Sequence, residues 1–311
     1  MNPWNTESGE YMTNHFHKIG EERQIFTLYM TGRFGSLRPA DLEVYHGLED
    51  PGSIKQFERT FRQLVGKKLV KGKPNALGTT SYVLTHPGTQ LLRERGLYEA
   101  AKSGKDISPT GATFFHRTLS TLAMIVLSQE HYLAHEELPK MFTEYEMQRK
   151  LAPVGASGKL LQYKDPDRDP YPDDGEDHWL KFAPDGLIEV QNHVYRWIEV
   201  EASYRAIHRL REKLTWLAGS YDDWMGELCT DDKKSALGQL EDVIWVIPVG
   251  EGWYDHETRL RRELNKLEVV THPHRWTFLR LYLTRRLRLL DYSIETLERH
   301  KPDNEEVTSH E

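Results

Sequence analysis

The sequence predicts a mixed α+β chain of two units, and three observations lead to this. Apolar residues recur at helical spacing through much of residues 20–65 and are followed by a Gly/Pro/Asn-rich turn and a short apolar strand. Two apolar runs around Gln191-Asn192-His193 then give a hairpin signal. Further on, the uninterrupted run Val243-Ile244-Trp245-Val246-Ile247 reads as a buried strand between helical segments. The 311 residues suffice for two domains, and they divide as 1–98, a linker at 99–110, a second unit at 111–300 and a polar tail at 301–311.

In the first unit, residues 21–31 form a helix with Ile25, Leu28 and Tyr29 on one face. Leu37-Arg38-Pro39-Ala40-Asp41-Leu42 is a turn entering a short second helix. A third helix spans residues 53–65, capped by Ser53, with Ile54, Phe57, Phe61, Leu64 and Val65 inward. A loop at residues 72–78 leads to the strand Tyr82-Val83-Leu84, and Thr85-His86-Pro87-Gly88 starts another helix. The segment 99–110, with Ser103-Gly104 and Ser108-Pro109, reads as the linker.

In the second unit, a helix covers about residues 113–129 and carries His116. A lone histidine in such a place more often packs or hydrogen-bonds than reacts. A second helix covers about 143–152. Thr143 and Glu146 fit a capping box, which gives Glu146 a structural role and leaves Glu144 free. The hairpin occupies 179–202, followed by a helix at 204–221, the strand at 243–247, a helix at 255–267, an extended or helical segment from Trp276, and a closing helix near 284–299.

Charged residues make up 29% of the chain and hydrophobic residues 38%, as in soluble globular proteins. No apolar run reaches membrane-spanning length, and the first residues lack a signal-peptide pattern, so the expected location is cytoplasmic. The single cysteine, Cys229, excludes an intrachain disulfide and a cysteine-cluster zinc site. The net charge of −7 argues against indiscriminate nucleic-acid binding, but the charge is uneven. Residues 53–73 carry seven Lys/Arg against Glu58, a net +6; residues 275–288 carry five Arg and no acid, a net +5; residues 165–177 carry seven acids against Arg168, a net −6.

The chemistry concentrates at Pro184-Asp185-Gly186 and Ile198-Glu199-Val200-Glu201. Side chains alternate along a strand, so Glu199 and Glu201 share a face, and the hairpin returns that strand beside Asp185. Converging carboxylates repel unless a cation lies among them or some are protonated. The plainer alternative is a hairpin with acids on its wet face.

These residues resemble the PD-(D/E)XK nuclease superfamily, with Pro184-Asp185 and Glu199-Val200-Glu201 as the two halves of its motif. The chain departs from the pattern at Glu201, where the superfamily usually has lysine. Lys213 on the following helix is the candidate replacement. The resemblance implies a restriction-endonuclease-like core of mixed sheet flanked by helices, with Mg²⁺ or Mn²⁺ held by Asp185, Glu199 and Glu201 and the Val200 carbonyl in reach. Glu144 is the fourth acid it implies. Glu201 would bind a second metal or accept a proton from water, and Lys213 would offset charge in the transition state.

Residues 20–98 resemble a winged helix-turn-helix. Its third helix would present Lys55, Arg59 and Arg62 to the DNA major groove, with Lys71 and Lys73 at the wing base. A protein-docking face is the alternative. Arg205, Arg209 and Arg211 would hold the phosphate backbone near the cut. The combination of a winged helix, Thr143-Glu144, Asp185 and Glu199-x-Glu201 is similar to the replication-relaxation family of mobile elements, which includes the C-type mobilisation relaxases. That likeness implies an endonuclease or nickase working at a plasmid or phage origin-like site, with homodimers and accessory mobilisation or replication proteins as compatible partners. The rival expectation, favoured by Glu201 in place of lysine, is an inactive nuclease-fold protein that regulates plasmid replication or transcription.

Other patterns carry less. His15-Phe16-His17 has the His–hydrophobe–His spacing of a different relaxase class, which needs the pair on a central strand. His272-Pro273-His274 reads as a turn. Asp165, Asp167, Asp169 and Glu176 match EF-hand positions, but Pro170 stands where the glycine is needed, so a solvated acidic loop is the reading. Tyr204 and Tyr221 are read as packing residues at the ends of a helix rather than as nucleophiles.

Overall fold

The structure, a computed structural model, describes residues 12–46, 52–98, 101–110, 112–135, 139–148, 184–191, 194–202, 207–219, 239–266 and 275–297. Helix α1 (Met12–Phe34), strand β1 (Ser36–Leu37), helix α2 (Pro39–Leu42) and a 3₁₀ turn (Glu43–His46) lead to α3 (Gly52–Gly66). Strands β2 (Val70–Pro74) and β3 (Thr80–Leu84) and helix α4 (His86–Glu94) complete the first unit. Its small antiparallel sheet has the order β1-β3-β2. Phe57, Phe61 and Leu64 recur every three or four residues and are all buried, which turns one face of α3 into the core. Val65 departs from the expected inward set. It is 42% exposed, one position round the helix from Leu64. Ser53 lies inside α3 rather than capping it, and β2 takes in Gly72, Lys73 and Pro74, which read as loop in the sequence.

Helix α5 (Ala112–His135) opens the second unit. Leu119, Leu122, Ala123, Met124, Ile125 and Val126 are fully buried, so the middle of α5 is apolar all round. Such a helix must be covered on every side. The first unit covers one side and the large sheet covers the other, in one continuous hydrophobic core.

That sheet has six strands, in the order β4 (Lys140–Thr143), β5 (Gly186–Gln191), β6 (Val194–Val200), β7 (Gln239–Val249), β8 (Arg275–Leu283) and β9 (Leu289–Thr296). Pairing is antiparallel from β4 to β6, parallel from β6 to β8, and antiparallel again to β9. Short helix α6 (Glu144–Gln148) follows β4, α7 (Ile207–Gly219) follows β6, and α8 (His256–Lys266) follows β7. The period of two sorts the strand residues into layers. Ile188, Ile198, Val200, Ile244 and Val246 pack with α5, while Leu187, Trp197, Val243 and Trp245 pack with Leu210, Leu214 and Leu260 of α7 and α8.

Three expectations change. The closing helix near 284–299 is instead strand β9. A tight reversal, with Thr284 N–H donating to the Arg288 carbonyl, folds it back along β8, whose edge groups need partners. Strand β4 lies where the sequence reading had no strand, and it adds a third antiparallel member to the hairpin. Residues 101–110 do not behave as a free linker. Ala101 and Ile107 are buried, Gly104 N–H donates to the Leu84 carbonyl, and Ala76 N–H donates to that of Pro109.

The units are tied by charge as well as by apolar contact. Arg33 of α1 pairs with Glu146 at 2.7 Å, and the Arg38 guanidinium donates to the carbonyls of Arg286 and Leu287. The capping box forms as its spacing predicts, with Thr143 N–H donating to Glu146 Oε2 at 2.9 Å and Glu146 N–H donating to Thr143 Oγ1 at 3.2 Å. Glu146 is fully buried, so its removal takes the counter-charge from Arg33 and leaves the Thr143 N–H without its acceptor. Glu146→Ala is expected to cost about 3 kcal/mol of stability, read as a lower urea midpoint. Among the described residues, no helix is long and apolar enough to cross a membrane.

Candidate metal centre and nucleic-acid surface

Asp185 sits one residue before β5, where Gly186 begins the strand against α5. A Cβ at Gly186 would collide with the Met124 sulfur, so glycine lets the helix close on the strand. That approach places Ser120 Oγ 2.7 Å from the Asp185 carbonyl, to which it donates. The Asp185 carboxylate accepts from the Val200 N–H at 2.7 Å across the hairpin. Backbone and side chain of Asp185 are thus both held.

His116, one helical turn before Ser120, joins Asp185 to Glu144. Its Nε2 lies 3.2 Å from Asp185 Oδ2 and its Nδ1 lies 3.4 Å from Glu144 Oε2. One ligand atom from each of His116, Glu144 and Asp185 falls within 4.8 Å of the others. Burial disfavours the imidazolium, but the hydrogen bonds and charges of the two acids outweigh it and raise His116 to about 10. Burial would raise the Asp185 carboxyl, yet His116, the Lys213 charge and the Val200 N–H together hold it below its ordinary value. The imidazolium thus carries positive charge between the two carboxylates, and a divalent cation bound by the three would have to displace its proton.

A donor set of one imidazole nitrogen and two carboxylates suits Mn²⁺ and tolerates Mg²⁺ less well, because magnesium prefers an all-oxygen shell. Asp185 and Glu144 converge, His116 joins them, and Glu199 and Glu201 stand outside that group. Glu199 shares the face of Trp197, toward α7, where its carboxylate pairs with the Lys213 ammonium and faces the Trp197 indole N–H at 3.5 Å. Glu199 is 0% exposed and Glu201, just past the end of β6, is 2% exposed. Glu201 N–H donates to the Val246 carbonyl, which carries β6–β7 pairing to the edge of the site. Lys213 reaches Glu199 directly and Asp185 through its charge, so it links the β6 acid to the His116–Glu144–Asp185 group.

The sequence reading places His116 on helix α5 as a packing or hydrogen-bonding residue and gives no signal for its partners. Its partners come from α6 and from the start of β5, and only the packing of α5 brings the three together.

The basic residues divide. Lys55, Arg59 and Arg62 are exposed along α3, and Lys71 is exposed on β2. Lys73 is turned inward instead. Its ammonium donates to the carbonyls of Gly104, Lys105 and Ile107, and burial with the Lys71 charge lowers its pKa. Arg209 is exposed, Arg211 pairs with Glu263 at 2.5 Å, and Arg205 lies outside the described residues. The C-terminal basic stretch is largely neutralised, with Arg280 on Glu257 and Glu295, Arg285 on Glu251, and Arg288 on Glu43. His15 and His17 are on helix α1, not on a strand. The acidic loop at 165–177, His272, His274, Tyr204, Tyr221 and the tail at 301–311 lie outside the described residues.

In comparisons with known proteins, no protein-family model, curated protein or solved structure matches this chain.

Proposed function

We propose that the chain is a metal-dependent DNA endonuclease or nickase of PD-(D/E)XK type, serving plasmid or phage mobilisation or replication in a relaxase-like role in the cytoplasm. The observation that carries this reading is the convergence of Asp185, Glu144 and His116 at the end of the β5–β6 hairpin, with the Lys213–Glu199 pair beside them. Element order adds support. Helix α5, the antiparallel β4-β5-β6 set, α7 and a parallel β7 follow the order expected of the nuclease core. The α1-β1-α2-α3-β2-β3 order with sheet order β1-β3-β2 supports the winged-helix reading of the first unit.

In this reading Asp185, Glu144 and His116, once its imidazole has lost the proton, would hold Mn²⁺ or Mg²⁺. Such an ion polarises a phosphate and lowers the pKa of water. The Val200 N–H and Ser120 orient Asp185. Lys213 places positive charge beside developing phosphate charge while it neutralises Glu199. The exposed residues Lys55, Arg59, Arg62 and Lys71 engage the DNA backbone, and Arg209 assists near the cut.

The rival reading is a DNA-binding regulator without catalysis. Glu201 in place of lysine favours it, and the reach of Lys213 to Glu199 weighs against it. Incubation with supercoiled plasmid and Mn²⁺ or Mg²⁺ decides between them. Relaxation signifies nicking and linearisation signifies a double-strand cut. Unchanged plasmid with retained binding supports the regulator.

The basic face of α3 makes a separate prediction. Arg59→Ala with Arg62→Ala is expected to weaken DNA binding and lower the slope of log affinity against log salt by about 1.8, at about 0.9 per phosphate contact. An unchanged slope assigns this face to protein docking.

A further inference from the structure

Beside the metal cluster lies a cleft of about 730 Å³, a volume in the range of small-ligand sites. Its walls come from the first turns of α5 and from the segments that follow β6, β7 and β8. Those three strands are mutually parallel, so the cleft opens at their carboxyl ends, where ligands of α/β sheets gather. Phe115 and Trp253 supply aromatic walls, and both are only partly buried. His116 is shared between the cleft and the cluster with Asp185 and Glu144. Arg285 and Glu251 stand at the cleft as an exposed ion pair, which is weak enough to open for a competing phosphate.

We infer that this cleft seats one unstacked nucleobase of a single-stranded DNA segment, with Phe115 and Trp253 as stacking surfaces. The inference rests on the nuclease reading and names its substrate class. A cleft of this volume admits a nucleotide but not a duplex. Aromatic faces take any base, since every base has a π-face. Arg285 exchanges Glu251 for the adjoining backbone phosphate. A base seated against His116 sets its own phosphodiester at the edge of the metal cluster. Strand separation, or extrusion of one nucleotide, then precedes the chemistry.

The test uses the full chain in EDTA with a fluorescein-labelled oligothymidylate and a labelled blunt duplex, read by fluorescence anisotropy. Trp253→Ala and Phe115→Ala are each expected to weaken single-strand binding about tenfold to a hundredfold and to leave duplex binding unchanged. Trp253→Phe keeps an aromatic face and should retain most of the affinity, which separates stacking from a folding defect. Unchanged single-strand affinity in both alanine variants overturns the inference, as does an equal loss on duplex. Plasmid cleavage is scored separately. A chain that never cuts, yet binds single strands through Trp253, upholds the cleft and sinks the nuclease reading. A chain that cuts, with single-strand binding indifferent to both aromatics, does the reverse.

Discussion

Asp185→Asn is expected to reduce metal-dependent cleavage about a thousandfold, or ~4 kcal/mol of transition-state stabilisation, if the proposed centre is the active site. Asparagine keeps the size of the side chain and an oxygen to accept from the Val200 N–H, so the hairpin should persist. What it removes is the negative charge on which a divalent cation depends. The substitution should also abolish Mn²⁺ uptake measured by calorimetry. Circular dichroism should be unchanged, and duplex binding through α3 should stay at the wild-type level. His116→Ala and Glu144→Ala should follow the same pattern, because each contributes one atom to the same cluster. Wild-type cutting by Asp185→Asn would place the metal site elsewhere.

Lys213→Ala is expected to be the most damaging single change to stability. Lys213 is paired with Glu199, and both side chains are almost wholly buried. Removing the lysine leaves a carboxylate in the interior without its counter-charge, a change that costs about 3–5 kcal/mol. Pairing Glu199→Gln with Lys213→Met removes both charges and should recover most of that loss. Urea denaturation of the three proteins checks this. A Lys213→Ala midpoint within error of the wild type would mean that the pair contributes little. The double variant also separates folding from catalysis for the pair. If it folds like the wild type but cuts poorly, the Lys213–Glu199 pair acts in catalysis as well as in the fold.

Local periodicity accounts for what could be read early. The α3 stripe of Phe57, Phe61 and Leu64 sets a helix face whatever it packs against. The capping box of Thr143 and Glu146 spans one turn and needs no distant partner beyond Arg33. The hairpin signal around 187–200 and the apolar run at 243–247 are likewise local. The spacing of Glu199 and Glu201 follows from the strand period alone. Lys140–Thr143 is too short to display a period, so β4 gives no local signal, and the residues of β9 read as a helix in isolation because their state depends on the free edge of β8.

Composition, period and turn chemistry thus determined an α+β chain with an acid-rich hairpin and a basic third helix. Tertiary structure alone decided where the charges go. Lys73 points to three carbonyls because residues 101–110 fold back over it, and Arg280, Arg285 and Arg288 lose their free charge to acids from other segments. Glu199 turns to Lys213 because its strand face meets α7, while Asp185 meets His116 because Gly186 lets α5 approach. The physical reason is range. Helix and strand periods act between near neighbours in the chain, whereas a metal cluster or a buried ion pair depends on which surfaces are pressed together, and that is decided by the burial of the whole core.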